Sequence, residues 1–242
     1  MIGKTIKSSS GVVYKITKPI AADDRPNANV YLCEDQNGTE FIAKHFYNGT
    51  PVSFIGLSVY NHYGRRRDGS NLVFNEIKKK TKDHDFLIKH IDRIKYDGSW
   101  IIILEYVEGD PLYHFITKNY LKQPDTVKLA IAELANTLRK WHTNGFAHGD
   151  PHLDNAMVHF HEGKIAIRLI DYGIIHHADF ECCKRIGCFN PEWYNRIEED
   201  LENDSDKLGR GFLEGLKSLE NQLKLNTLFS DHFISHYQII IN

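Results

Sequence analysis

The stretch FAHGDPHLDN, residues 146–155, decides how this chain is interpreted. It comes directly after a long amphipathic pattern at 124–143, and two β-prone pieces follow it before LIDYG at 169–173. A helix, a polar loop, two strands and a second polar loop are therefore predicted in that order. Polar side chains held on loops between regular elements are common at functional sites.

These two loops carry the side chains that phosphoryl transfer needs. A carboxylate must orient the attacking hydroxyl and accept its proton, and oxygen ligands must hold Mg²⁺ against the nucleotide phosphates. The spacing predicts Asp150 as the catalytic base, with Asn155 and Asp171 as the metal ligands. An aspartate in a His-Gly-Asp-Pro string is by itself more often a turn residue. The spacing of Asn155 and Asp171 relative to Asp150 favours a catalytic role instead.

The first half of the chain is β-rich with one helix. Asn37-Gly38 lies between two β-prone runs and is a strong hairpin signal, and Asp97-Gly98 separates two more. Strands are predicted at 12–16, 30–34, 40–46, 91–96 and 100–107, and a helix at 71–82.

The second half changes to a helical pattern. A helix at 124–143 is predicted to begin at a cap formed by Asp125 or Thr126 and to end before Gly145. The tail from about residue 192 is predicted to be mainly helical and polar. The buried stripe of the long helix is predicted to consist of Leu129, Ile131, Leu134, Ala135, Leu138 and Trp141.

Composition is typical of a globular protein, with 41% hydrophobic and 26% charged residues and a formal net charge of −2. Nothing in this balance points to nucleic acid. There is no apolar run long enough for a membrane span and no apolar stretch of signal-peptide length at the start. The four cysteines, of which Cys182, Cys183 and Cys188 are clustered, favour free thiols in a reducing compartment, so we expect synthesis in the cytoplasm.

With these motifs in order, the chain resembles the protein-kinase superfamily. Asp150 and Asn155 have the offset of the kinase catalytic loop H-R-D-x-x-x-x-N, and Asp171 with Gly173 matches D-F-G. The resemblance implies an α+β, bilobal protein-kinase-like fold. It has a small β-rich N-lobe at 1–108 and a truncated, mainly helical C-lobe at 109–242.

The resemblance also implies ATP as cofactor, with Mg²⁺ or Mn²⁺. Lys44 corresponds to the lysine of V-A-I-K that contacts the α and β phosphates, and Glu76 to its ion-pair partner. The backbone from Glu105 to Val107 is expected to hydrogen-bond the adenine. No glycine occurs at 21–29, where a glycine-rich loop is expected, so Arg25 or main-chain amides are predicted to contact the phosphates.

His152 is a second departure, because standard protein kinases carry lysine two positions after the catalytic aspartate. HGDPHLDN is similar to the loops of aminoglycoside and choline kinases and of lipopolysaccharide heptose kinases. His148 is predicted to pack beneath the loop. His152 is expected to act either as an electrostatic helper or as a loop scaffold.

The leading interpretation is a compact bacterial Ser/Thr protein kinase of the effector type, with a protein substrate. Such a protein could be exported without a cleavable signal and act on a host-cell protein. The alternatives are a kinase for lipopolysaccharide-core sugar or another small molecule, a pseudokinase binding module, and a kinase fold that catalyses another nucleotide transfer.

Overall fold

The computed structural model describes residues 1–21, 28–46, 78–80, 82, 84, 86–148, 152–170, 176–177, 210–225 and 228–238. The chain divides into two compact units, residues 1–106 and 107–242. Among the described residues, the first unit is built on one large sheet and the second is mainly helical, with two small sheets. The predicted α+β class is therefore confirmed.

The first unit contains a six-stranded sheet in the order β1-β2-β3-β4-β6-β5, and every neighbouring pair is antiparallel. The strands are β1 Thr5–Lys7, β2 Val13–Ala21, β3 Ala28–Glu34, β4 Glu40–Phe46, β5 His90–Tyr96 and β6 Ser99–Glu105.

Both predicted hairpin turns are present. Asp35 Oδ1 accepts hydrogen bonds from the N–H groups of Asn37 and Thr39 at 2.8 and 2.9 Å, and Gly38 has φ +78°. Asp97 and Gly98 have φ +47° and +77°, the positive pair that a two-residue hairpin turn requires.

The strand predictions differ from the structure mainly at their ends. The strand predicted at 12–16 corresponds to β2, which continues to Ala21. Its pairing with β3 shifts in register on both sides of Pro19, as is common where a strand contains proline. The strand predicted at 100–107 ends at Glu105 instead. The predicted helix at 71–82 lies mostly outside the described residues, and residues 78–80 and 82 are helical.

The second unit is organised around one long helix. The predicted helix at 124–143 is confirmed as α2 Pro124–Thr143, and Gly145 follows its end with φ +79°. The predicted cap is wrong, because Gln123 is the N-cap and makes no side-chain cap hydrogen bond. Pro124 begins the helix without an N–H to satisfy, and Asp125 instead lies in the first turn, where it favours the helix dipole.

One member of the predicted buried stripe is wrong. Ile131, Leu134, Ala135, Leu138 and Trp141 are almost fully buried, but Leu129 is 59% exposed. At 100° per residue, Leu129 lies about 160° around the helix from Ile131, so it faces away from the core.

Other elements complete this unit around α2. A further helix, α1 Leu112–Asn119, was not predicted. The tail contains α3 Arg210–Leu223 and α4 Leu228–Gln238, so the helical prediction is confirmed where the tail is described. The buried Glu220 carboxylate accepts hydrogen bonds from the N–H groups of Phe229 and Ser230 and so caps the start of α4.

Short strands frame the loops of the second unit. One sheet has the order β10-β9-β7, formed by Lys164–Leu169, Ala156–His161 and Asp110–Pro111. The other pairs β8 Phe146–Ala147 with β11 His176–His177. No helix in the described part of the chain is long and apolar enough to cross a membrane.

Candidate active site

His148 anchors the start of the candidate catalytic loop. It is only 1% exposed, and its ring packs on Trp141 and Phe212 at centroid distances of 5.5 and 6.2 Å. Its Nε2 donates a hydrogen bond to the carbonyl oxygen of Ile170 at 2.9 Å. His148 is therefore a buried, packed side chain, as predicted, whereas residues 149–151 of the loop lie outside the described residues.

Asn155 lies at the other end of this loop, in a single 3₁₀ turn at Leu153–Asn155. The side chain is 4% exposed, and its Nδ2 donates a hydrogen bond to His152 Nε2 at 2.9 Å. Its main-chain N–H donates to the carbonyl of His152 at 2.8 Å. Its own carbonyl accepts from the N–H of Ile170, also at 2.8 Å.

Ile170 is therefore held from both sides by the ends of one loop. Its carbonyl accepts from His148, and its N–H donates to Asn155. Ile170 directly precedes Asp171 in the chain, whereas His148 and His152 flank Asp150 at two positions on each side. Asp150 and Asp171 themselves lie outside the described residues.

The two short strands β8 and β11 provide a further tie between these loops. Phe146 pairs with His177, and Ala147 pairs with His176, in an antiparallel register. β8 ends one residue before His148, and β11 begins after the stretch 171–175. The described ends of both candidate loops thus meet in one network of main-chain and side-chain hydrogen bonds.

Lys44 lies on β4 in the first unit, on a strand that follows a hairpin turn, as predicted. It is directly opposite Val30 on β3 and Ile102 on β6, and its Nζ lies 5.7 Å from the centroid of the Phe46 ring. Directly paired residues of antiparallel strands share a face, so Lys44 belongs to the same sheet face as Ile102 and Phe46.

The charge of Lys44 acts on a half-buried neighbour. His90 on β5 is half-buried, and its ring Nδ1 is shielded from solvent. Burial of the ring, together with the positive charges of Lys44 and Lys78, lowers the pKa of His90 to about 3. His90 is therefore neutral at physiological pH. The His90 imidazole near Lys44 is thus a neutral ring and not a second cation.

Of the backbone positions predicted to contact adenine, Glu105 is the last residue of β6 and Val107 lies two positions beyond it. The N–H of Glu105 donates to the carbonyl of Lys89 at 2.9 Å, and Glu105 Oε2 accepts from the N–H of Lys89 at 3.0 Å. The Glu105 N–H is therefore already engaged within the sheet. Val107 is half-buried and belongs to the second unit.

The structure places the described candidates in two groups. Lys44 and Glu105 lie in the first unit, and Asn155 and Val107 lie in the second. The remaining predicted site residues lie outside the described residues; they are Arg25, Glu76, Asp150 and Asp171. Cys182, Cys183 and Cys188, which are predicted to be free thiols, also lie outside the described residues.

Sequence reasoning missed the part that Ile170 plays. Its contribution comes from main-chain N–H and C=O groups, which every residue other than proline carries, so residue type left no signal. The contact between His152 and Asn155 did leave a signal in the sequence. Two polar side chains three positions apart in a tight turn can face each other, as they do here.

Known proteins of similar sequence indicate the family of this chain. A family model for the protein kinase domain matches residues 59–194, more than half of the chain. The chain is 24% identical over 147 residues to the probable serine/threonine-protein kinase 2 of Plasmodium falciparum, covering 60% of this chain and 29% of that protein.

Two further relatives carry similar names. The chain is 27% identical over 184 residues to serine/threonine-protein kinase 1 of Heliothis zea nuclear polyhedrosis virus, covering 75% of this chain and 64% of that protein. It is 27% identical over 170 residues to the serine/threonine-protein kinase shk1/pak1 of Schizosaccharomyces pombe, covering 67% of this chain and 25% of that protein. The chain spans less than two thirds of the length of each relative, and it belongs to the protein kinase domain family.

Proposed function

We propose that this chain is an ATP-dependent Ser/Thr protein kinase that transfers the γ-phosphate of ATP to a protein hydroxyl. The observation that carries the proposal is the double hydrogen bonding of Ile170 by His148 and Asn155. In the sequence, Asp150 is two positions from His148 and Asp171 directly follows Ile170, which supports a shared role for the two carboxylates. Two carboxylates and an amide on such neighbouring loops suit phosphoryl transfer.

The donor set fits a magnesium ion. Asn155 supplies an amide oxygen and Asp171 a carboxylate, which are the hard oxygen ligands that Mg²⁺ prefers. Such an ion neutralises charge that develops on the phosphate oxygens. We assign the same two ligands to Mn²⁺ where it substitutes for Mg²⁺.

In the proposed reaction, Asp150 orients the acceptor hydroxyl and takes its proton. The hydroxyl oxygen forms a bond to the γ-phosphorus while the bond from that phosphorus to the β–γ bridging oxygen breaks, and ADP leaves. Lys44 stabilises the α and β phosphates by its charge. Glu76 positions Lys44.

Nucleotide contacts complete the assignment in the first unit and at its end. We assign adenine recognition to main-chain groups from Glu105 to Val107, with the Glu105 carbonyl rather than its N–H as the contact, because Lys89 already engages that N–H. Arg25 is assigned to the phosphates in place of a glycine-rich loop. The nucleotide-binding N-lobe is proposed at 1–108 and the catalytic C-lobe at 109–242.

A protein acceptor is favoured by the names of these three relatives, which are all serine/threonine-protein kinases. These relatives are eukaryotic and viral proteins, so a bacterial origin, export as an effector and a host-cell target stay predictions from the sequence. Synthesis in the cytoplasm and the absence of nucleic-acid binding stay predictions as well.

The test is transfer from γ-labelled ATP with Mg²⁺, with and without a cell lysate, followed on gels and by thin-layer chromatography. Asp150→Ala should lower incorporation into protein by ~10²–10⁴-fold, the usual contribution of a positioned general base. Asp154→Ala is the matched control, because Asp154 is an exposed carboxylate in the same loop.

Two of the other interpretations would each give a different result in this assay. Label that appears only in a small-molecule or lipid fraction would replace the protein acceptor by a sugar or metabolite. A wild-type protein that binds ATP without any transfer would mark a pseudokinase. Incorporation that Asp150→Ala leaves unchanged would remove Asp150 from the mechanism.

A further inference from the structure

The side chains of His152 and Asn155 form a direct contact inside the candidate catalytic loop. Asn155 Nδ2 lies 2.9 Å from His152 Nε2. Asn155 is 4% exposed, whereas His152 is exposed at the surface of the loop. The contact therefore links a buried amide to a ring that solvent can reach.

Donor and acceptor chemistry determines the direction of this bond. The nitrogen of a carboxamide carries two hydrogens and can only donate, so His152 Nε2 must accept. A neutral imidazole that accepts through Nε2 carries its proton on Nδ1. Because Nδ2 faces His152, the amide oxygen Oδ1 of Asn155 faces away from it.

We propose that His152 is a positioning residue that holds the Asn155 amide with Oδ1 presented as a metal ligand. This inference rests on the proposed function, in which Asn155 binds Mg²⁺. Without an acceptor at position 152, the amide could rotate by half a turn and present its NH₂ group, which repels a cation. Outer-shell hydrogen bonds commonly fix the orientation of metal ligands in this way.

The proposal separates this chain from kinases with lysine at this position. A lysine ammonium has three donors and no acceptor, so it cannot receive the bond from Nδ2. Lysine at 152 would instead compete for Oδ1 if it approached the amide. Glutamine has an acceptor oxygen near the position of the imidazole Nε2, so it is the conservative replacement.

The experiment measures Mn²⁺ binding by electron paramagnetic resonance at a saturating concentration of a non-hydrolysable ATP analogue. His152→Leu should weaken Mn²⁺ binding by ~10–100-fold, the usual effect of losing an outer-shell partner. His152→Gln should retain most of the affinity, and His152→Lys should not. Binding of the nucleotide without metal should stay unchanged in all three variants, which shows that they remain folded.

A second measurement does not depend on metal or catalysis. Long-range ¹H–¹⁵N correlation spectra of protein labelled at histidine should show the Nδ1–H tautomer for His152. Substituting Asn155→Ala removes the donor and should shift the Nε2 resonance. A His152 ring protonated at Nε2 would overturn the proposal whatever the metal data.

The binding outcomes distinguish this inference from the proposed function. If wild-type protein binds Mn²⁺ with nucleotide and His152→Leu or His152→Lys binds it equally well, the positioning role is wrong and the kinase assignment stands. If wild-type protein binds neither nucleotide nor Mn²⁺, the proposed function fails and this inference fails with it.

Discussion

Lys44 shows how strand register decides what a single residue can do. Its neighbours across the sheet are Val30 and Ile102, so its aliphatic stem lies beside apolar side chains of the adjacent strands. His90 nearby is kept neutral by burial and by the lysine charge itself. This setting supports the proposed contact of Lys44 with phosphate.

Lys44→Ala should lower kcat/KM for transfer by ~10²–10³-fold, because one fixed charge on the phosphates is lost in the transition state. The measurement is a steady-state kinase assay with labelled ATP. Lys95→Ala is the control, since Lys95 is an exposed lysine on β5, which β6 separates from β4. Unchanged kinetics in Lys44→Ala would contradict the proposed phosphate contact.

At the scale of elements, one buried hydrogen bond joins the long helix α2 to the final helix α4. His142 Nδ1 lies 2.6 Å from the hydroxyl of Tyr237, and both side chains are buried. Burial lowers the pKa of His142 to about 4 and raises the pKa of Tyr237, so both groups are neutral at pH 7. The tyrosine O–H donates to the unprotonated ring nitrogen.

Stability should fall in acid because of His142. Its pKa is near 6.5 in the unfolded chain and about 4 in the folded one, so the unfolded state binds the proton first as the pH falls. Its contribution is complete above pH 6.5 and is lost between pH 6.5 and 4, by about 3 kcal/mol in total.

The measurement is urea unfolding at several pH values from 7.5 to 4.5, comparing wild type with His142→Asn. Asparagine places an acceptor near the position of Nδ1 and does not titrate, so the variant should lose less stability over this range. His236→Asn is the control, because His236 lies on α4 and is only partly buried. Equal pH dependence in wild type and His142→Asn would show that His142 is not the titrating group.

At the scale of the whole molecule, the chain forms two compact units, and each unit has its own buried core. Lys44 lies in the first unit and Asn155 lies in the second. A ligand that binds only the native state stabilises the protein by mass action. Thermal unfolding therefore tests binding without requiring an acceptor substrate.

ATP with Mg²⁺ at about 100 times its dissociation constant should raise the melting temperature by ~5–10 °C, from about 2.7 kcal/mol of binding linkage in a chain of this size. Asp171→Ala should abolish the metal-dependent part of this shift, and Asp154→Ala should retain it. A metal-dependent shift that survives in Asp171→Ala would remove Asp171 from the metal site.

Local physical chemistry allowed several elements to be predicted from the sequence. The helix at 124–143 and the strand at 40–46 have the predicted bounds, because periodic apolar residues and turn residues act over a few positions. The protein-kinase family was also predicted, since its polar motifs occur in a set order along the chain.

Only the tertiary structure decided which of these features meet. α1 was not predicted, although Leu112 and Ile116 are fully buried, because its eight residues are too short for a strong periodic signal. The place of Ile170 between His148 and Asn155 depends on main-chain hydrogen bonds across 15 and 22 positions of sequence. Such bonds depend on how distant segments pack rather than on residue type. The residue types in the loops therefore indicate their chemistry, whereas packing determines where the loops come together.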